Sequence, residues 1–311
     1  MVSIEKLKKS GKTYFYISKN FRTGLNKWKK IRRYFGDQEP SKEDVKKLAK
    51  EIEAQALKEG LVKEKTTYKY LKDKEAEVLE DIKSEFNKFM KKLPETAREK
   101  YVDDFLIRFT YNSNAIEGNR LSLRDTHLIL QENIIPQDAT TYEYNEVLNT
   151  KNCMEFIKEY KGDFNKTFVL KVQELLTKNT KVTLVGKYRD HNVIITGSPH
   201  KPPLYSEVSG LMEKLFIWYN NNKNKFHPIE LACRIHSEFT RIHPFADGNG
   251  RTARIISNFI LKKNGYPMFF IDVKDRRKYY EALDKSDAGN ERSFVKLIFD
   301  IIINQLKSVS R

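Results

Sequence analysis

Apolar residues follow two different periods along the chain, and the change of period divides it into two parts. Residues 13–18 and 28–35 are aromatic and β-branched, with Gly24 between them and Gly36 after them, which is typical of strands. From about residue 66 onward, apolar residues recur every three to four positions, which predicts helices. The sequence therefore predicts a small part that contains strands, followed by a mainly α-helical part.

A helix is predicted directly after the strands. Ser41 can act as its N-cap, Asp44 lies at the matching position of a capping box, and Gly60 ends the apolar repeat. The strands and this helix together form a predicted α+β module. We expect three segments in chain order: a basic α+β module over residues 1–62, a linker helix over 63–84, and a helical domain over 85–311.

One segment within the helical part breaks the helical period. Val193, Ile194 and Ile195 are β-branched, and Gly197 and then several prolines follow them. A β-branched run before a turn favours a short strand. We therefore predict a β-hairpin inserted among the helices.

Composition narrows the class of protein. Hydrophobic residues make up 39% and aromatic residues 12% of the 311 positions, which is enough for a folded core despite 32% charged residues. Cys153 and Cys233 are the only cysteines, so neither a disulfide scaffold nor a cysteine-based zinc site is expected. No apolar run approaches the roughly 20 residues of a membrane-spanning helix. We predict a soluble, cytoplasmic protein that does not bind membranes.

Positive charge is concentrated at the N-terminus. The chain has 58 Lys and Arg against 42 Asp and Glu, and residues 1–36 alone hold eleven basic residues and one acidic residue, a net charge of +10. Such a charge attracts phosphate backbones or anionic surfaces, although a lysine-rich surface can also serve solubility alone. The order of basic strands followed by a helix resembles the arm-type DNA-binding module of tyrosine recombinases. This resemblance implies DNA as a partner of residues 1–36.

The segment with the clearest chemistry lies between two predicted helices and reads His-Pro-Phe-Ala-Asp-Gly-Asn-Gly-Arg-Thr-Ala-Arg at residues 243–254. Gly248 and Gly250 let the main chain approach a ligand closely. A loop that opens a helix presents free N–H groups at the positive end of the helix dipole. The segment therefore predicts an anion site that suits a phosphate.

Four ionisable side chains belong to this segment. Asp247 can hold a hard cation such as Mg²⁺, and His243, with an ordinary pKa of roughly 6.5, can remove a hydroxyl proton near neutral pH. Arg251 and Arg254 are three residues apart and can bind further phosphates from one helix face. Simpler roles are open as well: His243 as a helix C-cap, Asp247 as an N-cap, and the arginines in surface ion pairs.

The whole segment resembles the signature of Fic proteins, H-P-F-x-D-G-N-G-R-x-x-R, at every fixed position. Members of that family transfer AMP, or less often another phosphate-containing group, from a nucleotide to a hydroxyl of a protein. The resemblance implies a mainly α-helical fold, a Fic-type bundle with a β-hairpin flap, preceded here by the α+β module. It implies His243 as the catalytic base and Asp247 as the Mg²⁺ ligand. The implied nucleotide-binding residues in this segment are Gly248, Asn249, Gly250, Arg251 and Arg254.

Two segments on either side of the signature resemble the same family. Gly186-Lys-Tyr-Arg189 before the predicted hairpin resembles the family's G-x-x-R motif and flap. Tyr279-Tyr280 resembles its C-terminal helix near the nucleobase, which adds Tyr280 to the nucleotide contacts. Family members often carry Asn in the stretch after this helix, where the present chain has Asp287, and that departure affects the expected purine contact. The implied target-docking residues of the flap are Val193, Ile194 and Ile195.

An upstream segment resembles the family's inhibitory motif, [S/T]-x-x-x-E-[G/N]. It reads Ser113-Asn-Ala-Ile-Glu117-Gly118, within residues 110–120. Ser122 begins a capping box for the next helix, so we expect Glu117 on a short segment between helices. The resemblance implies that Glu117, with Ser113, inhibits the enzyme.

The implied function is transfer of AMP from ATP, with Mg²⁺, to a Tyr, Thr or Ser hydroxyl of a target protein. Self-modification and a homodimer are expected possibilities, and the glutamate would allow removal of AMP as a second reaction. One alternative keeps the fold and changes the transferred group to UMP, phosphocholine or phosphate. The other alternative is a nucleic-acid-binding regulator that acts through the N-terminal module.

Overall fold

The computed structural model describes residues 2–24, 27–61 and 68–307, which form two compact units, residues 1–66 and 67–311. The strands and helices are β1 Val2–Lys9, β2 Lys12–Gly24, β3 Lys27–Gly36, α1 Lys42–Lys58, α2 Asp73–Lys92, α3 Glu95–Ile116, α4 Leu123–His127 continued by a π-helical turn Leu128–Glu132, α5 Thr141–Glu159, α6 Lys166–Thr177, α7 Tyr205–Asn222, α8 Pro228–Ile242, α9 Asn249–Lys263, a 3₁₀ turn Val273–Asp275, α10 Arg276–Asp287 and α11 Glu291–Lys307.

The N-terminal unit is an antiparallel sheet of three strands, in the order β1-β2-β3, with α1 on one face. Ser10 and Gly11 turn β1 into β2 with positive φ angles of 52° and 76°, the geometry of a tight two-residue hairpin. Ser41 and Asp44 cap α1 with reciprocal hydrogen bonds. The two predicted strands and the helix are confirmed, and β1 is an additional strand.

The second unit is helical, and most of its core is one large cluster of buried apolar side chains. A smaller cluster consists of Ile107, Leu121, Ile129, Leu130 and Val147. Helix α9 lies at its centre and packs against α8, α6 and α5. Almost every residue from Asn249 to Leu261 is buried, because α9 is covered on all sides. The prediction of a mainly helical fold is therefore confirmed.

The predicted linker helix and the domain that follows it meet inside one helix. Residue 84 lies within α2, which continues to Lys92 and packs against α11. The start of the predicted linker, up to residue 67, lies outside the described residues. The division into three segments stays a prediction.

The predicted β-hairpin does not form a pair of hydrogen-bonded strands. Residues 186–204 contain no strand, and a turn closes the segment where the N–H of Ser198 donates to the carbonyl of Ile195 at 3.2 Å. The returning arm contains Pro199, Pro202 and Pro203, which lack the N–H groups that a strand ladder needs. The flap is therefore an extended loop, and the expectation of two paired strands was wrong.

A helix that crosses a membrane needs about 20 predominantly apolar residues. In the part of the chain that the structure describes, no helix is both long and apolar enough to cross a membrane.

Candidate active site

His243 is the residue directly after α8. Its backbone is left-handed, at φ 50° and ψ 59°, so the chain turns sharply where the helix ends. Ring Nδ1 lies 3.3 Å from the carbonyl oxygen of Thr240. Because a carbonyl can only accept, this contact puts the ring proton on Nδ1 and leaves Nε2 as the proton acceptor. Burial lowers the pKa of His243 below its ordinary value, so the ring is neutral at neutral pH.

The loop after His243 is held by the side chain of Asn249. Asn249 Oδ1 accepts the N–H of Phe245 at 2.9 Å, and Nδ2 donates to the Phe245 carbonyl at 2.8 Å. The loop ends at Gly248, whose φ of 82° favours glycine. A phosphate contact from Asn249 would therefore come from its main-chain N–H, since both side-chain groups are engaged.

The first turn of α9, residues 249–251, presents free main-chain donors. The first bond within the helix runs from the N–H of Thr252 to the carbonyl of Gly248, at 2.9 Å. The three N–H groups before it therefore have no acceptor in the helix. We call this turn the cradle; it is the anion-binding geometry that the glycine-containing loop predicts.

Arg251 is buried and bonded to two carboxylates. Its Nη1 donates to Glu146, and its Nη2 lies 3.0 Å from Asp247 Oδ2. The second oxygen of Glu146 accepts Nδ2 of Asn119 at 2.8 Å. Burial by itself lowers the pKa of Arg251, but the carboxylates of Asp247 and Glu146 outweigh it and raise that pKa above its ordinary value. The alternative of a surface ion pair is thereby excluded for Arg251.

Asp247 is partly open to solvent. Its Oδ1 accepts the N–H of Gly248 at 2.6 Å, and 44% of its side chain is exposed. Together with Arg251 and Glu117 it lines a cavity of about 520 Å³. Among the described residues, no three His, Cys, Asp or Glu side chains converge in a way that could hold a metal. A metal at Asp247 would need its other ligands from water and phosphate oxygens, which is how Mg²⁺ is commonly held.

Arg254 lies one turn beyond the cradle and is 1% exposed. Its Nε donates to Ser113 Oγ at 3.0 Å, and its Nη2 donates to the Ser113 carbonyl and to Glu117 Oε1, both at 2.8 Å. Its Nη1 has no hydrogen-bond partner within the part of the chain that the structure describes. A buried guanidinium with an unpaired donor group is poised to bind a further anion.

Glu117 brings its carboxylate to the cradle. A Cβ at position 250 would collide with Glu117 Oε1 and would lie 3.1 Å from Arg254 Nη1, so glycine at 250 permits this close approach. Glu117 is the C-cap of α3, whose final turns contain residues 110–116. Glu117 therefore lies at the start of the short connection between α3 and α4, as expected, while Ser113 to Ile116 of the same motif form the last turn of α3.

Arg189 ties the loop after α8 to both arms of the flap. Its Nε donates to the carbonyl of His243 at 2.9 Å, its Nη1 to that of His191 at 3.0 Å, and its Nη2 to that of Pro203 at 2.6 Å. The side chain is buried. Arg189 therefore fixes the backbone of His243 relative to the flap, where Ile194 is 90% exposed.

Tyr280 and the flap residues are less closely joined to the site. The Tyr280 hydroxyl lies 3.5 Å from the carbonyl of Ile116, next to Glu117. Val193, Ile194 and Ile195 form no hydrogen bond with the loop or the cradle among the described residues. Asp287 is the last residue of α10, and burial raises the pKa of its carboxyl.

Two residues that hold the candidate site together were not assigned to it by sequence reasoning. Glu146 lies in the middle of α5 and is buried. A charged residue on the buried side of a helix needs a partner, and this is the signal that could have linked Glu146 to the site. Arg189 was noted only as part of a motif, and its three carbonyl contacts depend on the tertiary fold. Two further histidines, His227 and His236, are buried. His236 bonds to Ser257 and Tyr279, and burial lowers its pKa to about 3. It therefore stays neutral and structural.

Comparison with known proteins identifies the region around this site. Residues 163–261 match the Fic/DOC family. The chain is similar to the protein adenylyltransferase Fic of Aedes aegypti, with 34% identity over 199 residues, 62% of this chain and 40% of that protein. It is also similar to the protein of the same name from Nematostella vectensis, with 31% identity over 60% of this chain and 45% of that one. The chain thus spans less than half the length of these curated relatives.

Solved structures agree with the fold. A Fic-domain-containing signaling protein from Bacteroides thetaiotaomicron superposes with a TM-score of 0.68 and 27% identity, covering 75% of this chain and 94% of that one. A Fic family protein from Desulfovibrio desulfuricans superposes with a TM-score of 0.66 and 25% identity, covering 79% and 78%. The resemblance to Fic proteins seen in the sequence is therefore confirmed.

Proposed function

We propose that this chain, whose residues 163–261 match the Fic/DOC family, is a protein adenylyltransferase that transfers AMP from ATP to a Tyr, Thr or Ser hydroxyl of a protein, itself included. One observation carries the proposal: three free N–H groups of the cradle lie beside the buried Arg254, with neutral His243 at the other end of the same loop. This set of groups suits the transfer of a phosphate-bearing group to a hydroxyl.

In the proposed reaction His243 is the general base. Nε2 takes the proton from the target hydroxyl, whose oxygen attacks the α-phosphorus of ATP. The new O–P bond forms as the bond to pyrophosphate breaks, so the target gains AMP. The contact of Nδ1 with Thr240 and the bond from Arg189 to the His243 carbonyl keep the ring oriented.

The phosphates are bound by fixed positive groups. The N–H groups of residues 249–251 and the dipole of α9 favour the α-phosphate, and Arg251 and Arg254 supply charge for the others. Asp247, exposed at the edge of the 520 Å³ cavity, would hold Mg²⁺ against the phosphate oxygens. A bound Mg²⁺ would neutralise the charge that develops on the departing phosphates.

Glu117 is proposed to inhibit this reaction. Its carboxylate lies against the cradle at Gly250 and bonds Arg254, so it occupies space and charge that the phosphates of ATP need. Ser113 supports the inhibited state because it binds the same guanidinium. The same carboxylate, 32% exposed, is also proposed to orient a water molecule for removal of AMP.

Several finer proposals concern partners and location. The exposed flap is proposed to dock the target, with Tyr280 beside the nucleobase, and a homodimer stays a proposal. DNA binding through residues 1–36 is supported by their net charge of +10. A cytoplasmic location is supported by the two buried free cysteines, Cys153 and Cys233.

The proposed function is tested with ATP labelled on either the α- or the γ-phosphate. Label should pass to protein from α-labelled ATP only, which separates AMP transfer from phosphate transfer. His243→Ala should lose at least about 100-fold in transfer, the size of a general-base contribution. Calorimetry should find ATP binding little changed, because the cradle and Arg254, rather than the imidazole, bind the phosphates. Transfer by His243→Ala at the original rate would remove His243 from the mechanism.

A further inference from the structure

The sheet of the N-terminal unit has two unlike faces. One face is covered by α1, where Ile17, Phe21 and Ile31 pack against Ile52 and Ala56. The alternating residues of the strands project to the other face, on which no described element of this unit packs. We call it the open face. Its residues are Ser3, Glu5, Leu7, Lys9, Lys12, Tyr14, Tyr16, Ser18, Asn20, Trp28, Lys30, Arg32 and Tyr34.

Aromatic rings dominate the middle of the open face. The ring centres of Tyr16 and Tyr34 are 5.3 Å apart, and those of Tyr14 and Tyr34 are 6.3 Å apart. The Arg32 guanidinium lies 3.6 Å from the centre of the Tyr16 ring. Trp28 is 64% exposed and Tyr34 is 55% exposed. Large rings on a sheet surface are costly to leave in water unless they have a partner.

Charge on this face is unevenly spread. Glu5 accepts hydrogen bonds from Lys30, at 2.5 Å, and from Ser18, and Arg32 lies 3.5 Å away. These contacts lower the pKa of Glu5, so it stays ionised and offsets part of the positive charge at the centre. Lys9 and Lys12 lie opposite each other at the β1–β2 turn, are exposed, and have no ion pair among the described residues. The free positive charge therefore lies at the end of the ring cluster.

We propose that the open face binds single-stranded nucleic acid. The open face carries four basic residues, Lys9, Lys12, Lys30 and Arg32, against one acidic residue, Glu5, which favours a polyanion over another protein surface. Exposed Trp28 and Tyr34 can stack on bases only when the bases are unpaired, because a duplex keeps the faces of its bases stacked on one another. Lys9 and Lys12 then contact the phosphates at one end. This inference rests on the proposed DNA binding of residues 1–36 and is independent of AMP transfer.

The test uses the full chain and a fluorescein-labelled oligo(dT) of about 20 nucleotides, longer than the site of roughly 4–16 nucleotides of a small stacking domain. Fluorescence anisotropy gives its affinity at several salt concentrations. Trp28→Ala and Tyr34→Ala should each weaken binding roughly 5- to 100-fold, whereas Trp28→Phe should keep most of the affinity. Tyr205→Ala, which removes a 48% exposed ring of α7, is the matched control and should change nothing.

Salt dependence separates the lysines from the rings. Lys9→Ala with Lys12→Ala should reduce the slope of log affinity against log salt by about 1.4, which corresponds to two phosphate contacts on a single strand. Lys46→Ala with Lys50→Ala on α1, where both side chains are exposed, removes the same charge and should leave the slope unchanged. The aromatic variants should also leave it unchanged.

Three outcomes would overturn the inference in different ways. Tight binding of a duplex of the same length, insensitive to Trp28→Ala, would leave DNA binding in place and exclude the open face. Absence of binding to either oligonucleotide would exclude both. Sedimentation showing a dimer that Trp28→Ala dissociates would make the face a contact between copies of this chain.

Discussion

His243 combines a strained backbone position with a buried ring. The left-handed backbone turns the chain away from α8, and the bond from Arg189 holds its carbonyl. Burial disfavours the charged ring, while the Thr240 carbonyl favours it in part. The result is a histidine that is neutral at neutral pH and carries its lone pair on Nε2, as a general base requires.

This assignment predicts the pH dependence of transfer. A base works only when unprotonated, so kcat/KM should fall as the pH drops through the pKa of His243, which lies below roughly 6.5. Glu117 raises that pKa, so Glu117→Gly should move the acidic limb to lower pH still. Steady-state rates between pH 5 and 8 would measure the acidic limb of the original chain and that of Glu117→Gly. A limb above neutral pH, or a shift toward higher pH in Glu117→Gly, would contradict the assignment.

Helix α9 carries two buried guanidinium groups into the core, and other helices must supply their partners. Glu146 on α5 binds Arg251, and Ser113 and Glu117 at the end of α3 bind Arg254. A buried charge that loses its partner destabilises the fold more than the intact pair stabilises it. The site and the packing of three helices are therefore linked.

Removal of Glu146 should reveal that link. Glu146→Ala leaves Arg251 buried with Asp247 alone and should lower the free energy of unfolding by about 3 kcal/mol. Asp104→Ala breaks the exposed pair with Arg108 on α3 and should cost at most about 1 kcal/mol. Urea unfolding of both variants gives the comparison. Equal losses would mean that burial of the pair between Glu146 and Arg251 adds nothing to the cost of losing it, which would contradict the link.

The elements differ in how far the sequence alone predicts them. The loop from His243 to Arg254 is contiguous, so the sequence is sufficient to assign its glycines, its acid and its arginines. Glu146 and Arg189 reach the site only through tertiary packing, and no local pattern fixes their partners. Lysines interrupt the alternation of β1, so its pattern does not predict a strand, and the β-branched arm of the flap predicts a hairpin that the prolines opposite prevent.

At the scale of the whole molecule, two compact units follow each other in the chain. The larger unit contains the cradle, and Glu117 at the end of α3 places its carboxylate against Gly250. The smaller unit presents a sheet face with rings and positive charge. The proposed inhibition needs groups of the larger unit alone, because Glu117 and the cradle both belong to that unit.

The most direct test of this account is ATP-dependent self-labelling of Glu117→Gly, with α-labelled ATP and Mg²⁺. Loss of a charge-assisted pair of about 1.5–3 kcal/mol predicts a rise of at least about tenfold over the original chain. Arg254→Ala should not rise, because it removes the inhibitory partner and a phosphate ligand together. Unchanged labelling in Glu117→Gly, or equal activation by Arg254→Ala, would contradict the account.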